Sequence, residues 1–179
     1  QLIRSVPPAM IGQVLGFDIP AIRSALLFPF ASLDGGFLDV ARVKSFPPLV
    51  DARGHATKYL QPRGTAPRLY FVRGCLARVR DGDEPLYVLE GEKILRIAQL
   101  DVPVVGICGI HGWHRRASRA LLPDFDGIRL AGRVVRILPD GDVRTNFAVE
   151  RAVEQFGAAL RARGAIPKVV LLPAVEVLE

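Results

Sequence analysis

The chain has 179 residues, half of them hydrophobic and 23% charged, and its formal net charge is +6. That length suits one ordinary domain or two small subdomains, and the hydrophobic content excludes an intrinsically disordered chain. No apolar run approaches the roughly 18 residues of a membrane span, and the start of the sequence lacks a secretory pattern, so we expect a cytoplasmic protein without a membrane partner. Cys75 and Cys108 stand alone, which favours two reduced thiols over a zinc site.

Residues 1–84 predict a small, mainly antiparallel β subdomain. Its beginning has little pattern beyond a possible short helix near 20–25. Two apolar runs, ALLFPF (25–30) and GFLDVARVKSF (36–46), are separated by a turn sequence rich in Asp and Gly, which is typical of a hairpin. KYL and then RLYFVRGCLARVR (68–80) predict further short strands before an Asp-Gly-Asp-Glu-Pro break.

The same region contains a stretch of a single charge sign. Residues 52–80 have seven Lys or Arg side chains and no Asp or Glu, with Tyr59, Tyr70 and Phe71 interleaved. Such a stretch creates a positive potential that attracts polyanions. A solvated basic face is the alternative, and the charge by itself favours nucleic acid or a nucleotide phosphate as the partner.

Residues 85–179 predict a parallel α/β sheet of about four strands with flanking helices. Four buried apolar runs indicate its strands: LYVLE (86–90), PVVGICG (103–109), RVVRIL (133–138) and KVVLLPA (168–174). A helical pattern follows the first run, and a longer amphipathic helix spans residues 146–163 with Gly164 at its end. Alternation of strands and helices in this order is typical of a parallel sheet.

Acidic residues follow two of these runs. Glu90 ends the first strand and is followed by Gly91, whereas Asp140 and Asp142 flank Gly141 just after the third. In open α/β sheets, ligands bind beyond the carboxyl ends of the strands, so these carboxylates are expected at one edge. Mg²⁺ takes one or two carboxylates together with waters and phosphates. A lone Asp-Gly-Asp is usually a turn, but its combination with Glu-Gly is more specific.

LYVLEGEK together with RILPDGD resembles the Toprim domain, a metal-binding fold shared by DnaG-like primases, topoisomerases and OLD-type nucleases. The family's first motif is an apolar strand ending in Glu-Gly, matched by Glu90, and its Asp-x-Asp is matched by Asp140 and Asp142. Its central glycine corresponds to Gly106 or Gly109. The resemblance implies that Glu90 is the general acid/base and also a metal ligand, and that the two aspartates coordinate Mg²⁺ or Mn²⁺.

The segment before the Toprim-like region resembles DnaG-like primases in particular. Those proteins have an apolar-Phe-Pro-apolar strand, a Lys-Tyr-Leu-Asn-Ser-Pro-like segment and then Leu-Tyr, matched here by residues 27–30, 57–62 and 68–70. Gln61 replaces the usual Asn, Ile94 occupies a position that is commonly acidic, and KVVLLPAVEVLE has no later Asp-x-Asp. Replication proteins of plasmids, phages and mobile elements share the Glu-Gly-Glu-Lys form of the first motif.

The resemblance implies a DNA primase that makes primers on single-stranded DNA from nucleoside triphosphates, with a helicase in cis or in trans as a further partner. A Toprim nuclease and a non-catalytic single-strand-binding module are the alternatives. The residues expected to contact nucleic acid or nucleotide are Lys58, Arg63, Arg68, Arg73, Lys93, Trp113 and Arg115. For Lys93 the alternative is a surface lysine or a partner of a nearby carboxylate, and for Trp113 it is a lid over the core rather than a base-stacking platform.

Overall fold

The computed structural model describes residues 3–19, 21–115, 118–140, 143 and 145–171. These residues form two compact units, Gln1–Ala66 and Pro67–Glu179. The strands are β1 (Arg4–Val6), β2 (Ser24–Ala31), β3 (Phe37–Val50), β4 (Ala56–Leu60), β5 (Tyr70–Phe71), β6 (Leu86–Glu90), β7 (Val104–Ile107), β8 (Val134–Leu138) and β9 (Ile166–Val169). The helices are α1 (Pro8–Leu15), α2 (Leu76–Asp81), α3 (Ile94–Ala98) and α4 (Phe147–Ala162).

The first unit is a four-stranded antiparallel sheet with the order β1-β2-β3-β4. Side chains of one sheet face, among them Ala25, Leu27 and Val43, pack with Ile11 and Leu15 of α1 in a buried core. Ala25 and Leu27 alternate along β2 and so share the face that forms this core, whereas Phe28 and Phe30 of the same strand are buried outside it. The sequence-predicted antiparallel subdomain is therefore confirmed as part of the fold class.

The helix expected near residues 20–25 is wrong. The helix of this region is α1, which begins at Pro8, because a proline at the first helical position has no need of a backbone N–H partner. It ends at Gly16, whose φ of 74° is the left-handed conformation that glycine adopts easily. By Ser24 the chain is already extended in β2, paired with Phe46 of β3.

The second unit contains a five-stranded sheet with the order β5-β7-β6-β8-β9. Strands β6 to β9 are parallel, and only β5 among the described strands of this sheet runs antiparallel to its neighbour. The predicted parallel sheet with flanking helices is thus confirmed. The predicted fourth strand, residues 168–174, corresponds to β9 at Ile166–Val169, and residues 172–174 lie outside the described part of the chain.

The segment expected to give further β-strands before residue 84 belongs to the second unit. Only Tyr70 and Phe71 are extended, and residues 76–81 form α2. Arg133, which is 3% exposed, donates hydrogen bonds to the carbonyl oxygens of Arg78 and Val79 at the end of α2, at 2.8 and 2.7 Å. The observed division at Ala66 and Pro67 therefore differs from the boundary expected at residue 84.

Helix α4 covers the second sheet with an apolar face. Asn146 caps its N-terminus by accepting a hydrogen bond from the backbone N–H of Ala148 at 3.1 Å, as the sequence pattern predicted. Phe156 of α4 is buried and packs against Phe125 and Trp113. Within the described residues, no helix is long and apolar enough to span a membrane.

Candidate metal and nucleotide site

The carboxyl ends of three parallel strands bring the first and the last acidic motif to one edge of the sheet. Strand β6 lies between β7 and β8, with Glu90 opposite Ile107 and Leu89 opposite Leu138. Because the three strands end in register, Glu90, Gly109 and Asp140 all follow at the same edge. This is the edge of an α/β sheet at which ligands bind.

Two glycines leave backbone uncovered next to Glu90. Gly91 has a φ of 59° and Gly109 a φ of 82°, conformations that an L side chain adopts with strain. A Cβ atom placed on Gly109 would have Glu90 Oε2 as its nearest neighbour, at 4.0 Å, and a Cβ on Gly91 would have no atom within 4 Å. The carboxylate therefore faces open backbone into which a substrate group can approach closely.

Of the two glycines that could match the central glycine of the family pattern, Gly106 has a packing role. A Cβ on Gly106 would lie 3.0 Å from Ile94 Cδ1 and 3.1 Å from Tyr70 Cβ. Gly106 thus allows α3 and β5 to pack closely against β7. Gly109, which faces Glu90, is the glycine at the candidate site.

Lys93 connects the two motifs directly. Its ammonium group forms an ion pair with a carboxylate oxygen of Asp140, and the two side chains are 54% and 43% exposed. The sequence left several roles open for Lys93, and the observed one is an ion pair with an aspartate. The pair joins the loop after β6 to the loop after β8. Asp142 lies outside the described residues.

The residues at this edge fit a hard divalent cation. In the described part of the chain, no group of three or more His, Cys, Asp or Glu side chains could hold a metal ion. Mg²⁺ does not need such a group, since it commonly keeps several waters and is held by one or two carboxylates and substrate phosphates. Glu90 and Asp140 supply two carboxylates beside the backbone of Gly91 and Gly109, which no side chain of their own covers, and this suits that mode of binding.

Four basic residues expected to contact nucleic acid have exposed side chains. Lys58 lies on β4 and Arg63 follows it, both in the first unit, whereas Arg73 and Arg115 belong to the second. Arg63 places its guanidinium 5.0 Å from the centre of the Phe17 ring. Exposure leaves all four side chains accessible to a polyanion in solvent.

Arg68 differs from these residues because it is held by a carboxylate. Its guanidinium forms a two-point interaction with Asp124, with Nε donating at 3.0 Å and a terminal nitrogen at 2.6 Å. Asp124, 6% exposed, also accepts a hydrogen bond from the backbone N–H of Leu69 at 2.7 Å. This interaction fixes the chain that leads into β5, so Arg68 is a structural residue as well as a basic one.

The expectation that Trp113 stacks on a base is wrong. Trp113 is a core residue, which was the alternative. Trp113 is 2% exposed, and its ring is stacked on Phe156 of α4 with ring centres 5.2 Å apart and planes 22° apart. Burial of this large apolar ring against α4 stabilises the loop after β7. The sequence contained no periodic pattern around Trp113 that could have distinguished the two roles.

A basic and aromatic cluster on the first unit was not singled out from the sequence. Arg42 and Lys44 of β3 approach the ring of Tyr59 of β4, at 5.1 and 5.4 Å from its centre, and Phe28 of β2 meets Tyr59 edge-on. These side chains alternate with Val43, which points into the core, so they occupy the opposite sheet face. In the sequence, the alternation of Arg42 and Lys44 with the apolar Val43 is the pattern that indicates two basic side chains on one face of β3.

The chain has a primase-like fold, as a comparison with solved structures shows. The protein is similar to the crystal structure of the Aquifex aeolicus primase (zinc-binding and RNA polymerase domains), with a TM-score of 0.54 and 17% sequence identity. The similarity covers 83% of this chain and 34% of that one, so this chain spans about a third of the length of that structure. Neither the protein-family models nor the curated proteins gave a match. At this identity the comparison defines the fold.

Proposed function

We propose that this chain is the catalytic core of a DnaG-like DNA primase with a Toprim metal centre, which makes primers on single-stranded DNA from nucleoside triphosphates. The observation that carries the proposal is the convergence of Glu90 and Asp140 at one edge of a parallel sheet, within a primase-like fold. The Glu-Gly and Asp-Gly-Asp sequences that produce it match the Toprim motifs. A helicase, in cis or in trans, would supply the single-stranded template.

Nucleotidyl transfer depends on positioning and charge neutralisation more than on covalent chemistry by the protein. A bound Mg²⁺ or Mn²⁺ would neutralise the triphosphate and make the attacking hydroxyl more acidic. Asp140, with Asp142 from the motif, would hold the ion. The 3′-oxygen of the primer forms a bond to the α-phosphorus, the bond to pyrophosphate breaks, and Glu90 takes the hydroxyl proton beside the open backbone of Gly109.

The exposed basic residues support nucleic acid as the substrate. Lys58, Arg63, Arg73 and Arg115 are accessible side chains that can pair with phosphates. The cluster of Arg42, Lys44 and Tyr59 adds an aromatic ring with two cations close to its centre, a combination suited to single strands.

A non-catalytic single-strand-binding module is the second candidate. It is favoured by the cluster of Arg42, Lys44 and Tyr59, which suits a single strand without any metal ion. In that case binding of single-stranded DNA persists without turnover, and the acidic edge contributes nothing to it.

Primer synthesis on single-stranded DNA, followed with labelled nucleoside triphosphates and Mg²⁺ or Mn²⁺, distinguishes these candidates. Glu90→Gln and Asp140→Asn should each lower the rate by about a hundredfold or more, since each removes a group that acts on the reacting atoms. Asp126→Asn is the matched control, because Asp126 belongs to another Asp-x-Asp but pairs with Arg163 at 2.8 Å. Asp126→Asn should retain full activity.

An unaltered rate in the Glu90 and Asp140 variants would contradict the proposed site. Metal-dependent cleavage of the strand without nucleotide incorporation would instead indicate a Toprim nuclease. Binding that survives both substitutions, with neither product formed by the parent protein, would indicate the non-catalytic module.

A further inference from the structure

A cavity of about 580 Å³ opens between the first turns of α4 and the loop that follows β7. Its polar and aromatic wall consists of His111, His114, Arg119, Phe147, Arg151 and Gln155. Since α4 follows β8 and the loop follows β7, both walls begin at the carboxyl edge of the sheet. Its size falls within the range of roughly 300–1,000 Å³ that small-molecule sites occupy.

The cavity has a cationic wall. Its positive charge comes from two arginines, and none of the described residues that line it is acidic. Arg68, Arg78 and Arg163 are each held by carboxylates, but neither Arg119 nor Arg151 forms an ion pair with another described residue. Two guanidinium groups, one from each wall and neither in an ion pair among the described residues, suit a phosphate, which accepts the two parallel hydrogen bonds of the arginine fork.

An aromatic surface lies beside these cations. Phe147, the first residue of α4, lines the cavity and is 74% exposed. A large apolar ring kept in solvent next to these arginines is a suitable platform for a nucleobase, because bases of every kind stack on aromatic side chains. The cavity therefore has side chains that can bind the phosphate of a nucleotide and side chains that can bind its base.

The opposite wall is anchored by the core. Trp113 stacks on Phe156 of α4, and the His114 ring meets the Trp113 ring edge-on with centres 4.5 Å apart. The backbone N–H of Leu122 also donates to the carbonyl oxygen of Trp113, at 3.0 Å. These contacts hold the loop against α4, so the cavity is formed before any ligand enters.

We propose that this cavity is a nucleotide-binding subsite beside the acidic edge and formed without its carboxylates, with Arg119 and Arg151 on the phosphate and Phe147 on the base. The ligand is either a free nucleotide or one nucleotide of a single strand, which share this chemistry. The inference goes beyond the proposed reaction, since it requires neither a metal ion nor Glu90 and Asp140.

The test is binding in EDTA, measured by fluorescence anisotropy with a labelled oligothymidylate and separately with a labelled ATP, over a series of salt concentrations. Arg151→Ala should weaken binding, and with the oligonucleotide it should reduce the salt slope by about 0.7, the value for one phosphate contact on a single strand. Arg161→Ala is the matched control, since Arg161 lies on the same helix but outside the cavity. The control should keep both the affinity and the slope.

Phe147→Ala should weaken binding by about fivefold or more while leaving the salt slope unchanged, because a stacked base is lost and no charge is removed. The parent protein and this variant should bind an oligonucleotide with abasic positions with the same affinity. If the two variants bind only ATP more weakly, the subsite is assigned to a free nucleotide. If they bind the oligonucleotide more weakly, it is assigned to a strand.

Equal weakening by Arg151→Ala and Arg161→Ala would mean that only net charge matters, and would overturn the proposal. Unchanged binding of both probes in the Arg151 and Phe147 variants would overturn it as well. Both substituted side chains are exposed, so circular dichroism and thermal unfolding should be those of the parent protein. Because EDTA removes metal-dependent chemistry, a failure of primer synthesis leaves this result intact.

Discussion

Gly106→Ala tests whether the close packing of α3 and β5 against β7 requires a glycine at position 106. The new Cβ would lie 3.0 Å from Ile94 Cδ1 and 3.1 Å from Tyr70 Cβ, whereas ordinary van der Waals contact is 3.4–4 Å. Ile94 is fully buried and Tyr70 is held in β5 opposite Gly106 itself, so each neighbour must move by several tenths of an ångström within a packed core.

Overpacking of this kind costs about 2 kcal/mol of the free energy of unfolding. For a chain of this size, that loss corresponds to a fall in Tm of roughly 4–8 °C. Urea denaturation followed by circular dichroism measures the first quantity and a thermal scan the second. Gly74→Ala is the matched control, because a Cβ on Gly74 would have no atom within 4 Å, and its φ is not positive.

The control should leave stability unchanged or raise it slightly, since alanine restricts the unfolded chain. Equal midpoints for the two variants would refute the packing role of Gly106. A Gly106→Ala protein of full stability that no longer makes primers would show that Gly106, rather than Gly109, is the glycine that substrate approaches.

Two further predictions concern side chains that hold α2. Arg133→Met should lower the free energy of unfolding by about 3 kcal/mol in urea denaturation, because it leaves buried carbonyl oxygens without donors. The control Arg129→Met removes only an exposed ion pair and should cost less than about 1 kcal/mol. Hydrogen bonds from Arg78 hold the pKa of Glu84 below its ordinary value of 4.5, so its stabilising contribution is complete above pH 4.5 and is lost as the pH falls towards the folded-state pKa. Glu84→Gln should therefore flatten the acid limb of a Tm–pH profile, and a variant whose profile matches that of the parent protein would contradict this linkage.

Local patterns in the sequence were enough to predict the elements around the candidate site. The helix expected at 146–163 is observed at Phe147–Ala162 with Asn146 as its cap, because apolar spacing and capping are both encoded within one segment. The buried runs that became β6, β7 and β8 were predicted for the same reason. From their parallel order it followed that Glu90 and Asp140 would share an edge.

Features that depend on distant residues were not predictable in this way. Helix α2 ends on hydrogen bonds from Arg133, and the chain before β5 is fixed by Asp124, each more than fifty positions away in sequence. The helix that occupies residues 76–81 has only six residues, too few for a periodic pattern to prevail over an apolar run. The position of Trp113 depends likewise on Phe156, which no spacing rule connects to it.

The ion pair between Lys93 and Asp140 would make binding of the proposed cation at this edge an exchange rather than an addition. A divalent ion would compete for the Asp140 carboxylate with the ammonium group of Lys93, which is tethered only a few residues from Glu90. The charge of Asp140 would then be partly balanced with or without the proposed ion, and the apparent affinity for that ion would be lower. The released ammonium group would become available for the anionic ligand that accompanies the ion, so that binding of the metal and binding of that ligand would be linked through a single side chain.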